Sequence, residues 1–125
     1  MPLGISQSKI DSVAVVLLKG TMVAGKDTEL LAGAVSELLE AGQLQIILDL
    51  GQVNYIDSTG IGALVRSYNL AMAKGASVKL LHLTKRIHDV LQITRLSTVF
   101  EIYDDQQKAL ASFVPPPEGN TGTAP

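Results

Sequence analysis

Short, mostly apolar runs rich in Val, Ile and Leu recur along this chain, separated by stretches in which apolar residues return every three or four positions. Residues 13–18, 46–50 and 78–83 are such runs, and their length and composition predict strands buried on both faces. A weaker run at 5–10 is separated from the first by an Asp-Ser turn signal, which predicts a hairpin partner. A last short strand is predicted over 99–103.

The intervening stretches predict amphipathic helices. The first is expected to be capped by Asp27 or Thr28 and to end at Gly42. A loop over 51–59 then leads to a second helix, which ends at 74–75. The apolar stripes of these two helices are Leu30, Leu31, Ala34, Val35, Leu38 and Leu39 in the first, and Ile61, Leu64, Val65, Tyr68 and Met72 in the second.

Two shorter helices complete the pattern: one capped by Thr84, and a final one opened by Asp104 or Asp105. Strands that alternate with helices indicate an α/β fold, in which right-handed crossovers make neighbouring strands parallel. The opening pair of strands, joined without a helix, adds an antiparallel element. We therefore expect a mixed sheet of four to five strands, mostly parallel, with about four helices packed on it.

A single domain over residues 1–113 is predicted, because 125 residues leave no room for two ordinary domains. Hydrophobic residues make up 46% of the chain and aromatic residues only 4%, so the core must be aliphatic. Beyond that domain the composition changes to proline, glycine and small polar residues. This change predicts that residues 114–125 form a flexible tail.

Charge and composition argue against several functional classes. The net charge is −2 with no block of like charge, so no surface for nucleic-acid phosphates is expected. The chain has no Cys, which excludes disulfides and thiolate metal ligands, and nothing in it predicts a metal or other cofactor. No apolar run approaches the roughly 20 residues that span a bilayer, and no signal-peptide pattern is present. We therefore expect a cytoplasmic protein that acts without a membrane.

The loop before the second helix carries the densest group of candidate functional residues. Open α/β sheets place ligand sites in loops at the carboxyl ends of strands. This loop ends in Asp57, Ser58, Thr59 and Gly60, and Gly62 follows. One interpretation is structural: Ser58 or Thr59 caps the helix, and the glycines permit a tight turn. The other is a binding surface, because a cap requires only one hydroxyl.

The sequence around this loop, residues 47–64, is Ile-Leu-Asp-Leu-Gly-Gln-Val-Asn-Tyr-Ile-Asp-Ser-Thr-Gly-Ile-Gly-Ala-Leu. It resembles the central motif of STAS domains, which sulphate transporters share with bacterial anti-sigma factor antagonists. That motif is a strand ending in Asp-Leu, a short loop, Asp-Ser-Ser/Thr-Gly and a helix opening with Leu/Ile-Gly. The order of elements is similar over about residues 5–113, and the chain resembles the stand-alone antagonists rather than a transporter tail.

This resemblance implies a regulatory mechanism without catalytic residues. In stand-alone antagonists the serine after the Asp, here Ser58, is phosphorylated by the anti-sigma factor, which is itself a serine-protein kinase. Unphosphorylated antagonist binds the anti-sigma factor and frees the sigma factor, phosphorylated antagonist lets go, and a phosphatase resets it. Ser58 is thus the expected phosphorylation site. The expected partner-binding residues are Asp57, Ser58, Thr59, Gly60 and Gly62.

Two departures from the family pattern leave alternatives open. Family members often have Gly-Glu-Leu/Ile-Asp after the first long strand, whereas residues 20–25 here are Gly-Thr-Met-Val-Ala-Gly, with neither acid. The partner can therefore differ from the usual kinase. Thr59 replaces a second Ser, which gives two candidate phosphoacceptors, and motif position favours Ser58. A scaffold subunit of a stress-signalling complex, a soluble accessory subunit of a lipid-transport complex and a homodimer also stay open.

Other chemistries have weaker support in the sequence. A hydrolase using Ser58 would need a base, and His82 and His88 have no partner visible in the sequence. A response-regulator receiver domain with Asp49 as its phosphoacceptor would need further acidic side chains to hold Mg²⁺, and the sequence lacks them. A small basic group near the third helix is more simply a solvated surface than a dock for an acidic partner helix. It comprises Lys85, Arg86 and Arg95.

Overall fold

The computed structural model describes residues 3–23 and 25–113, so the predicted tail at 114–125 lies outside the described residues. The strands are β1 (Gly4–Ile10), β2 (Val13–Met22), β3 (Gln45–Ile56), β4 (Ser77–Leu81) and β5 (Ile102–Tyr103). The helices are α1 (Lys26–Glu40), α2 (Ser58–Ala73), α3 (Lys85–Ile93) and α4 (Gln106–Ala111), with a 3₁₀ turn at Leu96–Thr98. In this described part, no helix is long and apolar enough to cross a membrane.

The strands form one sheet in the order β1-β2-β3-β4-β5. β1 pairs antiparallel with β2, and every other pair is parallel. The β1–β2 turn consists of Asp11 and Ser12, both with positive φ, as a type I′ hairpin turn requires. The predicted α/β fold, with its mixed sheet and antiparallel first pair, is therefore confirmed.

The sheet buries side chains on both faces, and most of the core lies on the face covered by α1, α2 and α3. α4 packs on the opposite face. Two members of the predicted apolar stripes, Leu30 and Met72, are instead 50% and 57% exposed, because each lies beside the buried face of its helix, next to the fully buried Leu31 and Ala71. Buried residues of the larger core include Leu18, Leu31, Val35, Ile46, Leu48, Leu64, Leu80, Ile87 and Leu91.

The predicted loop over 51–59 is wrong in its first part, because β3 continues to Ile56. The last residue of β3 that pairs with β4 is Asp49, so this extension lies beyond β4. It pairs with β2 as far as Met22, the last residue of that strand. Val53 and Ile56 are buried in the core. Two register shifts interrupt the pairing with β2, and such bulges break the alternation by which sequence reveals a strand.

Two strands are shorter than predicted. β4 ends at Leu81 rather than 83, because His82 has a φ of 59° and leaves the extended conformation. β5 comprises Ile102 and Tyr103 instead of 99–103. A 3₁₀ turn at Leu96–Thr98 immediately precedes the predicted start, so only the last two residues of the run reach the sheet.

The helix caps agree with the sequence in two cases and differ in a third. Thr84 caps α3 and Asp105 caps α4, each through a side-chain oxygen that accepts from a backbone N–H. α1 is preceded by Gly25 at φ 99°, without a side-chain cap, so the predicted cap by Asp27 or Thr28 is wrong. The Asp27 carboxylate is instead buried, where it accepts from two backbone N–H groups outside the helix at 3.2 and 3.5 Å.

A buried lysine connects β4 to the C-terminal part of the domain. Lys79 is 7% exposed, and its ammonium donates to the Ser112 hydroxyl at 2.9 Å. The same ammonium lies 3.1 Å from the Glu101 carboxylate and 4.3 Å from the centre of the Phe113 ring. A buried charge is tolerated only when it is paired, and these contacts satisfy Lys79.

We expect part of the stability to be lost in acid through Glu101. A hydrogen bond from the Tyr103 hydroxyl and then one from Lys79 hold the pKa of Glu101 below its ordinary value of 4.5. Since the folded-state pKa is depressed, this contribution is fully present above the unfolded value and disappears as pH falls through the folded one. Because the carboxylate is 62% exposed, the contribution should be only roughly 0.2–1 kcal/mol.

Urea unfolding of the wild type and Glu101→Gln tests this, with a stability difference at neutral pH that shrinks below pH ~4. Glu40→Gln, at an exposed acid that makes no salt bridge with the described residues, is the matched control. An acid-independent difference for Glu101→Gln would contradict the assignment.

Candidate functional site

The candidate site lies where β3 ends and α2 begins. The backbone N–H of Asp57 donates to the Met22 carbonyl at 3.2 Å, which fixes the end of β3 against the end of β2. Asp57 then acts as the N-cap of α2, because its Oδ1 accepts from the backbone N–H of Gly60 at 2.8 Å. The interpretation in which Ser58 or Thr59 provides this cap is therefore wrong.

Ser58, the first residue of α2, is exposed. Among the residues that the structure describes, its hydroxyl has no hydrogen-bond partner. It faces an open groove of about 400 Å³ whose other lining residues are Thr28, Thr59, Gly62, Ala63 and Arg66. The hydroxyl is thus accessible to another protein, and the fold does not require it for capping.

Thr59 is also exposed, but its hydroxyl is engaged. Its Oγ1 donates to Oδ1 of Asp57 at 2.6 Å, the same oxygen that caps the helix. Transfer of a phosphoryl group to Thr59 would break this bond and place a second negative charge against the carboxylate. The geometry thus distinguishes the two hydroxyls that the sequence left as alternatives.

The two glycines of the motif occupy different environments. Gly60 is buried, and a methyl group built on it would lie 2.3 Å from the Met22 carbonyl oxygen and 2.6 Å from Cγ1 of Ile56. Its lack of a side chain lets α2 approach the end of β2. Gly62 is exposed, and a methyl there would meet nothing within 4 Å. Of the two glycines, only Gly62 has a backbone that is exposed for contact with a partner.

Sequence reasoning missed Arg66 as a member of this site. Arg66 is exposed and lines both the groove at Ser58 and a second groove of about 360 Å³ farther along α2. The signal was available: Arg66 follows Thr59 by seven residues, which is two helical turns and therefore the same face.

A second polar pair lies elsewhere and was also missed. The Nδ1 of His82 is 3.2 Å from both carboxylate oxygens of Asp49, so His82 does have a partner. Asp49 precedes Ile56 by seven residues of strand, roughly 23 Å at about 3.3 Å per residue before the bulges shorten it. This separation removes the support for a hydrolase in which His82 activates Ser58, since a general base must lie within hydrogen-bond reach.

Comparison with known proteins gives consistent results. A family model described as the STAS domain matches residues 5–109. The anti-sigma-B factor antagonist of Listeria monocytogenes is 33% identical over 84 residues, which cover 64% of this chain and 74% of that protein. The crystal structure of an anti-sigma factor antagonist from Mycobacterium paratuberculosis superposes with a TM-score of 0.76 at 20% identity, over 88% of this chain and 92% of that one. The structure of the anti-sigma factor antagonist SpoIIAA in its unphosphorylated form superposes with a TM-score of 0.67 at 15% identity, over 87% of this chain and 96% of that one.

The structure is thus that of a small α/β domain whose candidate site is an exposed serine at a helix start. The chain belongs to the STAS domain family, since the family model covers most of its length. The resemblance noted in the sequence is confirmed, and the curated relatives carry the name anti-sigma factor antagonist. The two solved structures share the fold at 15–20% identity.

Proposed function

We propose that this protein is an anti-sigma factor antagonist whose binding to a kinase-type anti-sigma factor is switched off by phosphorylation of Ser58. The exposed Ser58 hydroxyl, without a partner in the described residues and next to a cap provided by Asp57, carries the proposal. The antagonist names of the curated relatives support it. The unphosphorylated protein binds the anti-sigma factor in the cytoplasm and so releases a sigma factor. A phosphatase restores this state, and the chain itself catalyses no reaction.

Phosphorylation can act here without unfolding the domain. A phosphoryl group adds a charge of about −1.5 to −2 near neutral pH. At the start of α2 the helix dipole favours that charge by roughly 0.3–2 kcal/mol. In a docked interface the same charge, beside Asp57, would meet repulsion and desolvation that cost several kcal/mol. Since about 1.4 kcal/mol changes affinity tenfold, local charge is sufficient for a switch.

The experiment is incubation with ATP and each kinase-type anti-sigma factor of the source genome, followed by intact mass and peptide mapping. We expect one added phosphoryl group, on Ser58, and none in Ser58→Ala. Mapping to Thr59 would contradict the assignment of the acceptor. No transfer, with the kinases active on a control substrate, would contradict the kinase-linked function.

A specific feature supports a second candidate. Residues 20–25 contain no acidic side chain, and their Met22 carbonyl forms part of the backbone on which Asp57 rests. Met22 therefore adjoins the candidate docking surface, and the composition of residues 20–25 departs from the family pattern. If no anti-sigma factor binds, the second candidate applies: the protein is then a scaffold subunit of a stress-signalling complex or an accessory subunit of a lipid-transport complex, and this surface contacts the other subunits.

A further inference from the structure

Two arginines near Ser58 make no salt bridge with the residues that the structure describes. Arg66 is exposed on α2 and lines the groove that Ser58 faces. Arg86 is exposed in the first turn of α3, with its guanidinium carbon 5.7 Å from the centre of the Tyr55 ring. Tyr55 precedes Ser58 by only three residues, so their Cα atoms are at most about 11 Å apart. Arg66 thus adjoins Ser58 through the groove and Arg86 adjoins it through Tyr55, and we call Arg66, Arg86 and Tyr55 the arginine face.

Three acids that lie within three residues of a groove residue or of Arg86 make hydrogen bonds or an ion pair inside the domain. Asp57 caps α2 and accepts from Thr59, and Asp27 is buried with two backbone donors. Asp89 pairs with Lys85 at 3.2 Å. Residues 20–25, at the end of β2, carry no charge. Glu29 is exposed in the first turn of α1, but Lys26 of the same turn is exposed as well and offsets its charge.

Arg66 and Arg86 are therefore cations without a carboxylate partner among the described residues, on a chain whose net charge is −2. The position of Arg86 also conflicts with local helix stability, because the dipole disfavours cations in a first turn and α3 has no acid there. Tyr and Arg are residue types enriched among the side chains that dominate binding energy at interfaces. An exposed tyrosine paired with an arginine that has no carboxylate partner here fits a docking role better than a stabilising one.

We propose that the arginine face docks an acidic surface of the partner protein, whose carboxylates pair with Arg66 and Arg86. This proposal rests on the proposed function, which identifies the partner as an anti-sigma factor. The acidic character of the partner's docking surface is inferred from charge complementarity to the two arginines. It also deepens the switch: a phosphoryl group on Ser58 would repel acidic side chains and compete with them for the same arginines. One modification would then weaken docking in two ways.

The first test needs no identified partner. An oligoglutamate peptide is titrated at low salt into the isotopically labelled full chain, and backbone amide shifts are mapped by NMR. We expect the shifts to concentrate at Tyr55, Ser58, Arg66 and Arg86, to disappear at high salt, and to be lost in Arg66→Gln/Arg86→Gln. Shifts spread evenly over all exposed cations, concentrated elsewhere, or absent would overturn the proposal.

The second test uses the anti-sigma factor that phosphorylates the chain. Arg66→Glu/Arg86→Glu should weaken its binding by a factor of about 100 or more, since unpaired interfacial charges have large effects. Lys9→Glu/Lys108→Glu makes the same charge change at two exposed lysines on β1 and α4 and should leave affinity within about threefold. Circular dichroism checks that both variants fold.

The outcomes separate the two proposals. If the anti-sigma factor binds wild type and Arg66→Glu/Arg86→Glu equally, the arginine face is wrong and the proposed function stands. Equal weakening by the lysine control would show dependence on total charge and also overturn the arginine face. If no anti-sigma factor binds the wild type, the proposed function fails, and the oligoglutamate map decides the arginine face alone.

Discussion

Gly60→Ala is expected to destabilise the domain by about 2–4 kcal/mol, whereas Gly62→Ala should stabilise it by about 0.5–1 kcal/mol. At Gly60 a methyl would lie 2.3 Å from the Met22 carbonyl oxygen, and a backbone atom cannot move aside by changing rotamer. Relief requires α2 to shift away from β2, which disturbs the Asp57 cap as well. At Gly62 the methyl meets nothing, so only the higher helix propensity of Ala remains.

Urea unfolding followed by circular dichroism measures both changes, and the two variants are each other's control for the Gly-to-Ala exchange. Changes in the free energy of unfolding with the same sign and size in both variants would contradict the close approach of Gly60 to the Met22 carbonyl. Binding gives a second readout for Gly62, which lines both grooves of α2. If Gly62 shapes the docking surface, Gly62→Ala should weaken partner binding although the domain is more stable.

Sequence periodicity was sufficient for the order and type of the elements, because each strand and helix must bury a continuous apolar face. Periodicity did not predict the strand ends correctly where tertiary contacts override the local sequence pattern. The second half of β3 reads as a loop, since bulges break its alternation, yet Val53 and Ile56 are buried. His82 ends β4 early through a positive φ, which no local pattern announces for a histidine.

The motif predicts a candidate site at the start of α2, but which of its residues caps the helix and which packs could be assigned only from the structure. A run of Asp, Ser and Thr before a helix offers three capping side chains, and sequence cannot decide which one turns toward the backbone. The structure assigns the cap to Asp57 and ties Thr59 to the same carboxylate. It also separates a packing glycine, Gly60, from an exposed one, Gly62, although the sequence presents them as a pair.

These assignments change what a substitution at Ser58 can report. If Ser58 were the cap, its replacement by Ala would cost about 0.5–2 kcal/mol, and altered binding could reflect partial unfolding. Because Asp57 provides the cap and Ser58 is exposed, Ser58→Ala should change stability by no more than about 0.5 kcal/mol. Binding measured with Ser58 variants then reflects the interface itself.

Ser58→Asp is expected to weaken binding to the anti-sigma factor by a factor of about 100 or more, which corresponds to roughly 2.7 kcal/mol. Ser58→Ala should bind as wild type does and should resist inactivation by the kinase and ATP. Calorimetric titration of purified proteins measures the affinities. Ser8→Asp makes the same exchange at an exposed serine of β1, which pairs with Val15 and so lies seven residues of β2 away from Met22, and it should bind normally.

The pair of aspartate variants separates a local effect from a general one. Each lowers the net charge by one, so a loss confined to Ser58→Asp places the switch at the start of α2. Equal losses would attribute the effect to total charge, and undiminished binding by Ser58→Asp would contradict a charge-based switch. The carboxylate carries less charge than a phosphoryl group, about −1 against −1.5 to −2, so true phosphorylation should weaken binding further. Salt should reduce this difference, because an exposed helix terminus is screened within about 10 Å at 0.1 M ionic strength.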